Sequence, residues 1–492
     1  MGSVNDQARR GIKFLLMRQL FLQIFTFSGG IVLARVLGPA QFGLFGIVSF
    51  LVGMFALLGD FGLTSSFIQR KDELTESDLQ VGFTIQQILI SLVVLALFVS
   101  APTLALLYPK VSSLIMVSLV RVLAFGLFLA SWRAISALQL ERQLRYRELA
   151  WIEIFESVSY QGTSIVLVLM GYGIWSLIVA VLVRGVLGAT LVYISAPWRI
   201  RLRFDPRIAK EILRYGIPFQ LQLIANQVDS WISPILVASL IGPRAVGLLT
   251  FAGSNGRKPL LIVDSVTRVA FSHFARIQHD RPEVERVVTR YLTYLLLITG
   301  LWFAVLLTSG PSLVGWIYSK QWEPAVPALI LFAGGVSFDA MSVLLSVTLS
   351  SIGLVNLSTR AELVRSLSNV AFSFPLVLLM GFTGVVIAYL AALIVGVAIK
   401  FRGFGEGSFK RLLTPIAAII VAPMLVSIIV GELAAIVPLL IGLRAILVTC
   451  VVCAVYLSMI WLTGPKWLVE SMQKGLVTYL PFHLTRSVKA MD

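Results

Sequence analysis

The chain alternates long apolar runs that carry no charge with short polar segments. No charged residue occurs between Asp78 and Lys110, or between Arg365 and Lys400, and similar runs recur along the chain. A spanning helix needs about 20 mostly apolar residues, which each run supplies. Because backbone N–H and C=O groups find no water partner in hydrocarbon, such runs must be helical. The pattern predicts an all-α polytopic membrane protein.

Fourteen transmembrane helices are predicted from these runs. The segment 366–399 would be about 51 Å long at about 1.5 Å per residue, against a hydrocarbon core of about 30 Å. Gly381 and Gly384 mark a hairpin that divides it into two helices. The helices are expected at 12–36, 41–68, 82–107, 112–138, 149–170, 173–195, 215–240, 245–271, 292–319, 325–353, 361–380, 383–401, 411–431 and 440–463.

Loop charges predict the orientation of these helices. The chain holds 40 Lys and Arg residues against 24 Asp and Glu, a net charge of +16. With a cytoplasmic N-terminus, the outer loops clearly hold only Lys110, Arg244 and Lys320, and basic clusters such as 199–214 lie inside. The positive-inside rule then predicts that both termini are cytoplasmic. The positive charge is a topology signal, so nucleic acid is not an expected partner.

A segment of the first half recurs in the second half at an offset of 204 residues. LARVLGPAQFGLF at Leu33–Phe45 matches VASLIGPRAVGLL at Val237–Leu249. Equivalent residues are Gly38 and Gly242, Pro39 and Pro243, Gly43 and Gly247, and Asp60 and Asp264. A second match pairs the glycine hairpins at Gly171 and Gly381. In each case the glycine permits a tight reversal between two helices.

This repeat predicts two six-helix lobes. Six is an even number, so the halves share one orientation about an axis along the membrane normal. Two such lobes enclose a central cavity that opens alternately to the two sides. The expected organisation is an N-lobe at 1–198, a basic inter-lobe loop at 199–214, a C-lobe at 215–410, two extra helices at 411–463 and a cytoplasmic tail at 464–492.

Ionisable and amide side chains inside spans are the candidate functional residues. Cations suit a phosphate head group, amides suit sugar hydroxyls, and carboxylates pair with the cations or bind a coupling proton or cation. The competing interpretation is that these groups lock the bundle as structural pairs. The substrate-binding candidates are Arg18, Arg121, Arg184, Arg257, Lys258, Gln23, Gln220, Asn226 and Gln227. The coupling or ion-pair candidates are Asp60, Asp229, Asp264 and Asp339.

Other polar groups receive structural interpretations. Glu153 and Glu156 are expected to pair at the headgroup boundary with Arg145 and Arg147. The two cysteines, both in the last apolar run, are interpreted as small apolar residues rather than a redox or metal pair. Neither a metal nor a cofactor is expected.

Three segments together resemble bacterial polysaccharide flippases of the Wzx type. The stretch Ala34–Leu79 resembles the opening of that family, which lies in the multidrug/oligosaccharidyl-lipid/polysaccharide exporter superfamily. Asp264–Asp280 (DSVTRVAFSHFARIQHD) and the hairpin Gly171–Leu177 (GYGIWSL) resemble two further pieces. The similarity covers at least helices one to twelve, and looks most like the colanic acid and succinoglycan exporters.

The resemblance implies a function and partners. It implies flipping of polyprenyl-pyrophosphate-linked oligosaccharide repeat units across the bacterial inner membrane by alternating access, for exopolysaccharide or lipopolysaccharide synthesis. The implied partners are the lipid-linked oligosaccharide, membrane lipids, and a polysaccharide polymerase and chain-length regulator. It carries over no catalytic motif, and the protein is not expected to be an enzyme.

Three alternatives stay open. A drug or cation antiporter of the same superfamily would share the two lobes, but would favour acidic groups where these embedded charges lean basic. A membrane-embedded polysaccharide-modifying enzyme would require an embedded histidine or a sizeable outer loop, and the predicted helices and loops provide neither. A structural scaffold would not require many charges at membrane depth.

Overall fold

The structure is a computed structural model that describes residues 2–60, 66–67, 74–405, 408–436, 441–465 and 467–468. This part of the chain forms fifteen α-helices, and short 3-10 turns at Lys320–Ala325 and Arg402–Phe404. The helices are α1 Gly2–Asp60, α2 Glu76–Leu106, α3 Ser113–Ser131, α4 Ala134–Arg142, α5 Tyr146–Leu169, α6 Trp175–Ser195, α7 Pro206–Leu240, α8 Pro243–Gly256, α9 Leu260–Arg276, α10 Arg281–Ile317, α11 Val326–Ser351, α12 Val355–Met380, α13 Phe382–Phe401, α14 Ser408–Ala435 and α15 Ile441–Thr463.

Nine helices of the described part are long and apolar enough to cross a membrane. Their outward faces carry large apolar side chains, among them Leu106 at 75% exposure and Leu379 at 79%. Water would penalise such a surface, whereas lipid does not. The chain is therefore a multi-pass, all-helical membrane protein, as the sequence predicts.

Glycine joints occupy equivalent places in the two halves. Gly38 interrupts α1 with φ 70° and ψ 172°, so that α1 is two helices joined at a kink. Its counterpart Gly242 has φ 110° between α7 and α8, and each is followed by proline. Gly171 and Gly381 have φ 89° and 65° at the two hairpins. Since L side chains rarely adopt positive φ, glycine is required at these joints.

The helices that follow the two Gly-Pro joints touch through their backbones. A Cβ atom on Gly43 of α1 would lie 1.7 Å from the carbonyl oxygen of Pro243. A Cβ atom on Gly247 of α8 would lie 2.0 Å from the carbonyl oxygen of Pro39. The sequence repeat pairs Gly43 with Gly247. In the structure, each of these glycines packs against the proline that belongs to the other copy of the repeat.

Two of the predicted helices are each interrupted by a break. The prediction of one continuous helix at 245–271 is wrong, since α8 ends at Gly256 and α9 begins at Leu260. Pro259 explains the break, because proline lacks a backbone N–H and its ring clashes with the carbonyl four residues earlier. The predicted helix at 112–138 is likewise divided between α3 and α4, around Arg133. Both breaks leave an arginine between two consecutive helices.

The chain divides into two compact units, Met1–Gly247 and Leu248–Asp492. The core of the first unit includes Phe83, Ile135 and Trp198, with edge-to-face stacking of Phe83 on Trp198. In the second unit, α9, α10, α11 and α13 bury a cluster that contains Phe274 and Leu344. The lobe limits drawn from the sequence stay a prediction.

Candidate functional site

A buried carboxylate, a tyrosine and an arginine meet in the second unit. Arg257, at the break between α8 and α9, donates from Nη2 to Tyr389 Oη at 2.9 Å. The Tyr389 hydroxyl in turn donates to Asp339 Oδ1 on α11. Arg257 Nη2 also lies 3.4 Å from Asp339 Oδ2. The α8–α9 break, α11 and α13 therefore converge on one ion pair, which we call the Arg257 cluster.

The two charges of the Arg257 cluster differ in exposure. The Asp339 side chain is 9% exposed, whereas the Arg257 side chain is 37% exposed. The guanidinium lies over the ring of Tyr389, 5.1 Å from its centroid, and Arg257 Nε has no hydrogen-bond partner in the described part of the chain. Because Nε is itself buried, a ligand would meet the exposed part of the side chain, and a guanidinium suits a phosphate or carboxylate there.

A second cluster, in the first unit, is built around Glu156 on α5. Arg133 Nη1 lies 2.9 Å from Glu156 Oε1 and 3.0 Å from Oε2. Arg184 Nε on α6 lies 3.6 Å from Oε2. Gly188 makes room for the carboxylate, since a Cβ there would lie 2.2 Å from Oε1. We call these residues the Glu156 cluster.

The predicted partners of Glu156 were wrong. Arg145 instead forms a bidentate pair with Glu148, one turn along α5, with Nε donating to Oε1 at 2.8 Å. Because Arg145 lies before the first turn of α5 and Glu156 is three turns along it, the two cannot meet. Arg133 was missed because the sequence pattern gave no sign of the helix break that positions it.

A third cluster lies in the second unit at the ends of α12 and α13. Lys400 is fully buried, and its Nζ donates to Glu362 Oε1, to Ser342 Oγ at 2.6 Å and to the Ser342 carbonyl at 3.1 Å. Arg365 Nε donates to Glu362 Oε2 at 2.6 Å. The sequence predicts helices at 361–380 and 383–401, and the structure places Arg365 in α12 and Lys400 in α13. We call these residues the Lys400 cluster.

The remaining predicted residues are dispersed in the described structure. Gln220 is buried and donates to the Leu57 carbonyl, so it serves an interhelical contact. Arg121 is exposed on α3, with its guanidinium 5.9 Å from the Phe98 ring centroid. Gln23 is half-buried, and Gln227 and Asp264 are exposed. Lys258 is half-buried beside Arg257. The side chains of Arg18, Asp60, Asn226 and Asp229 lie outside the described ones.

Comparison with protein families decides where this chain belongs. A family model described as polysaccharide biosynthesis protein matches residues 32–327, more than half of the chain. The chain belongs to that polysaccharide biosynthesis protein family. The matched range contains the whole Glu156 cluster and Arg257, whereas Asp339 and Tyr389 of the Arg257 cluster lie beyond it.

Two named relatives show which proteins the chain is similar to. The teichuronic acid biosynthesis protein TuaB of Bacillus subtilis is 28% identical over 279 residues, 56% of each chain. The succinoglycan biosynthesis transport protein ExoT of Rhizobium meliloti is 26% identical over 311 residues, 61% of this chain and 60% of that protein. The alignments thus span less than two thirds of either relative.

A solved structure shares the fold of this polysaccharide biosynthesis protein. The lipid II flippase MurJ, in an inward closed conformation, superposes with a TM-score of 0.72 over 90% of this chain and 98% of that one. At 18% sequence identity the likeness concerns the fold alone. The chain therefore has the same fold as that flippase.

Proposed function

We propose that this family member flips polyprenyl-pyrophosphate-linked oligosaccharide repeat units across the bacterial inner membrane for exopolysaccharide or lipopolysaccharide assembly. The observation that carries the proposal is the Arg257 cluster, an accessible guanidinium held within a membrane-spanning bundle. The names of the relatives, a teichuronic acid and a succinoglycan protein, support a polymer pathway. The fold shared with a lipid II flippase supports a lipid-linked substrate.

The Arg257 cluster suggests how a phosphate head group binds and leaves. Arg257 reaches Asp339 Oδ2 only at 3.4 Å, so an incoming phosphate oxygen competes with a weak ion pair. When the phosphate binds, the Tyr389 hydroxyl continues to donate to Asp339, so the carboxylate does not lose all partners. When the head group departs, Asp339 again neutralises Arg257. Lys258 adds a second cation beside the first.

The proposal also includes the orientation of the chain in the membrane and its action as a transporter. We place both termini in the cytoplasm, because the basic loops gather on one side of the predicted helices. The glycan head group then crosses through alternating openings of the bundle, while the lipid tail stays in the bilayer. The protein acts as a transporter in this proposal and makes or breaks no covalent bond.

Arg257→Gln is expected to abolish most polymer export. The change removes the accessible cation while it leaves a side chain that can still bond Tyr389. In a deletion strain of the source organism, the variant gene should restore less than about a tenth of wild-type secreted polymer, since one charge-assisted contact contributes about 1.5–3 kcal/mol. Lipid-linked repeat units should accumulate facing the cytoplasm, as scored by their protection from an outer-face label.

The matched control is Arg268→Gln, which removes an exposed arginine of α9. It should export polymer at the wild-type level, and the Arg257→Gln and Arg268→Gln variants should be present in membranes in equal amounts. If the deletion leaves polymer and lipid-linked units unchanged but increases sensitivity to cationic drugs, the flippase proposal fails and the antiporter alternative takes its place.

A further inference from the structure

Two clusters pair one glutamate with two cations, and they differ in exposure. In the Lys400 cluster, the lysine is 0% exposed and Arg365 is 16% exposed. In the Glu156 cluster, Arg133 is 30% exposed and Arg184 is 50% exposed, while the carboxylate between them is 2% exposed. The first arrangement buries its cations and exposes Glu362 at 41%, whereas the second exposes its cations and buries its anion.

Arg184 lies near the middle of a helix that is long and apolar enough to cross a membrane, and Glu156 lies well inside the neighbouring helix. Glu156 is the eleventh residue of α5, and Arg184 is the tenth residue of α6. At about 1.5 Å per residue, each is about 15 Å from the nearer helix end, against a hydrocarbon core of about 30 Å. A half-exposed arginine at this depth faces a water-filled cavity or the bundle interior rather than lipid, because lipid contact would be too costly.

The cluster carries an excess positive charge. Within the described part of the chain, Glu156 is the one carboxylate within ion-pair distance of Arg133 or Arg184. One carboxylate neutralises one guanidinium, so one positive charge is left over. The distances show which arginine holds it, since Arg133 contacts both carboxylate oxygens at 2.9–3.0 Å and Arg184 reaches one at 3.6 Å. Arg184 is the more loosely held and the more exposed of the two.

We propose that the Glu156 cluster is an anion-binding site for the phosphate or diphosphate head group of a polyprenyl lipid, with Arg184 as the binding group. Arg133 and Glu156 form the fixed pair, and Gly188 admits the carboxylate between the helices. A phosphate oxygen replaces Glu156 as the partner of Arg184. This site lies wholly in the first unit and is separate in residues from the Arg257 cluster. The identity of the ligand as a lipid-linked glycan rests on the proposed function.

In this proposal Glu156 competes with the phosphate for Arg184. Removing the Glu156 charge should therefore change the binding affinity in the opposite direction to removing Arg184. Arg184→Gln removes the binding cation and should weaken binding at least about tenfold, in line with the strength of a charge-assisted hydrogen bond. Glu156→Gln leaves both guanidiniums without a carboxylate and should tighten binding several-fold. A merely structural glutamate would give the opposite result, since its loss would loosen the packing and weaken any binding.

The measurement uses the full-length protein in nanodiscs of neutral phosphatidylcholine, with radiolabelled farnesyl diphosphate as the probe. Dissociation constants are compared for wild type, Arg184→Gln, Arg184→Lys, Glu156→Gln and the control Arg147→Gln, an exposed arginine of α5. Arg184→Lys keeps the charge and should retain part of the affinity. The thermal unfolding midpoint of each variant identifies any that fail to fold. The series is repeated in an Arg257→Gln background, which removes the cation of the second unit.

The outcomes separate this site from the proposed function. Weaker binding by Arg184→Gln together with tighter binding by Glu156→Gln supports the site, whatever the export assay shows. If farnesol binds as tightly as farnesyl diphosphate, the lipid tail accounts for the binding and the proposed anion site is overturned. Weaker binding of farnesyl diphosphate by a folded Glu156→Gln variant also overturns it. Unlabelled inorganic pyrophosphate that competes as well as farnesyl diphosphate keeps the anion site but removes its assignment to a lipid. A loss of signal only in the Arg257→Gln background assigns all binding to the second unit and overturns it too.

Discussion

Gly43→Ala is expected to lower the yield of folded protein severely. The new Cβ atom would lie 1.7 Å from the carbonyl oxygen of Pro243, and a real Cβ contact requires about twice that separation. The obstacle is backbone, so relief requires α1 and α8 to move apart. Overpacking typically lowers the free energy of unfolding by about 1–3 kcal/mol, and a clash with rigid backbone is expected to cost at least the upper end of this range. The measurement is the thermal unfolding midpoint and monodisperse fraction of the purified protein.

Gly53→Ala provides a control on the same helix. Gly53 is exposed and no atom lies within 4 Å of the position of its missing Cβ. Alanine is the better helix former, by up to about 1 kcal/mol, so this variant should unfold at the same temperature as wild type or slightly higher. Gly247→Ala, 2.0 Å from the Pro39 carbonyl oxygen, should behave like Gly43→Ala. Equal midpoints for Gly43→Ala and Gly53→Ala would show that α1 and α8 do not meet as described.

These glycines illustrate what a sequence can and cannot specify. The Gly-Pro joints were predicted because the chemistry of a turn is local, and both Gly38 and Gly242 have the positive φ expected of such joints. The reciprocal contact of Gly43 with Pro243 was not predicted. It depends on the packing of segments about 200 residues apart, and a helical glycine looks the same in sequence whether it faces backbone or open space, as Gly53 does.

The candidate sites were predicted in part for a similar reason. Arg257 and Asp339 stand out in the sequence because a charge inside an apolar run is rare. Tyr389, which bonds both, was missed because a tyrosine in a spanning helix is unremarkable by composition. Arg133 required knowledge of a break between α3 and α4 that no proline or glycine marks. Lys400 ends a charge-free run, a position that is typical of a loop, and only packing reveals that it is buried.

Lys400→Met is expected to destabilise the second unit without changing its helical content. The substitution keeps the length of an unbranched chain in a fully buried site, but removes the ammonium that serves Glu362 and Ser342. Loss of one partner of a buried pair costs about 3–5 kcal/mol because the other charge is left uncompensated. The lower end applies here, since the Glu362 side chain is 41% exposed and keeps Arg365. Thermal unfolding of the purified protein, followed by far-UV circular dichroism, measures the loss.

The double variant Lys400→Met/Glu362→Gln distinguishes the lost charge pair from simple misfit of the methionine. If the uncompensated carboxylate causes the instability, neutralising it should recover part of the lost midpoint, because an amide in that place tolerates an apolar neighbour better than a carboxylate does. Lys320→Met, at an exposed lysine, should leave the midpoint unchanged. A double variant that is less stable than Lys400→Met would indicate that Glu362 is stabilised by Arg365 alone, and that the buried lysine contributes by packing rather than by charge.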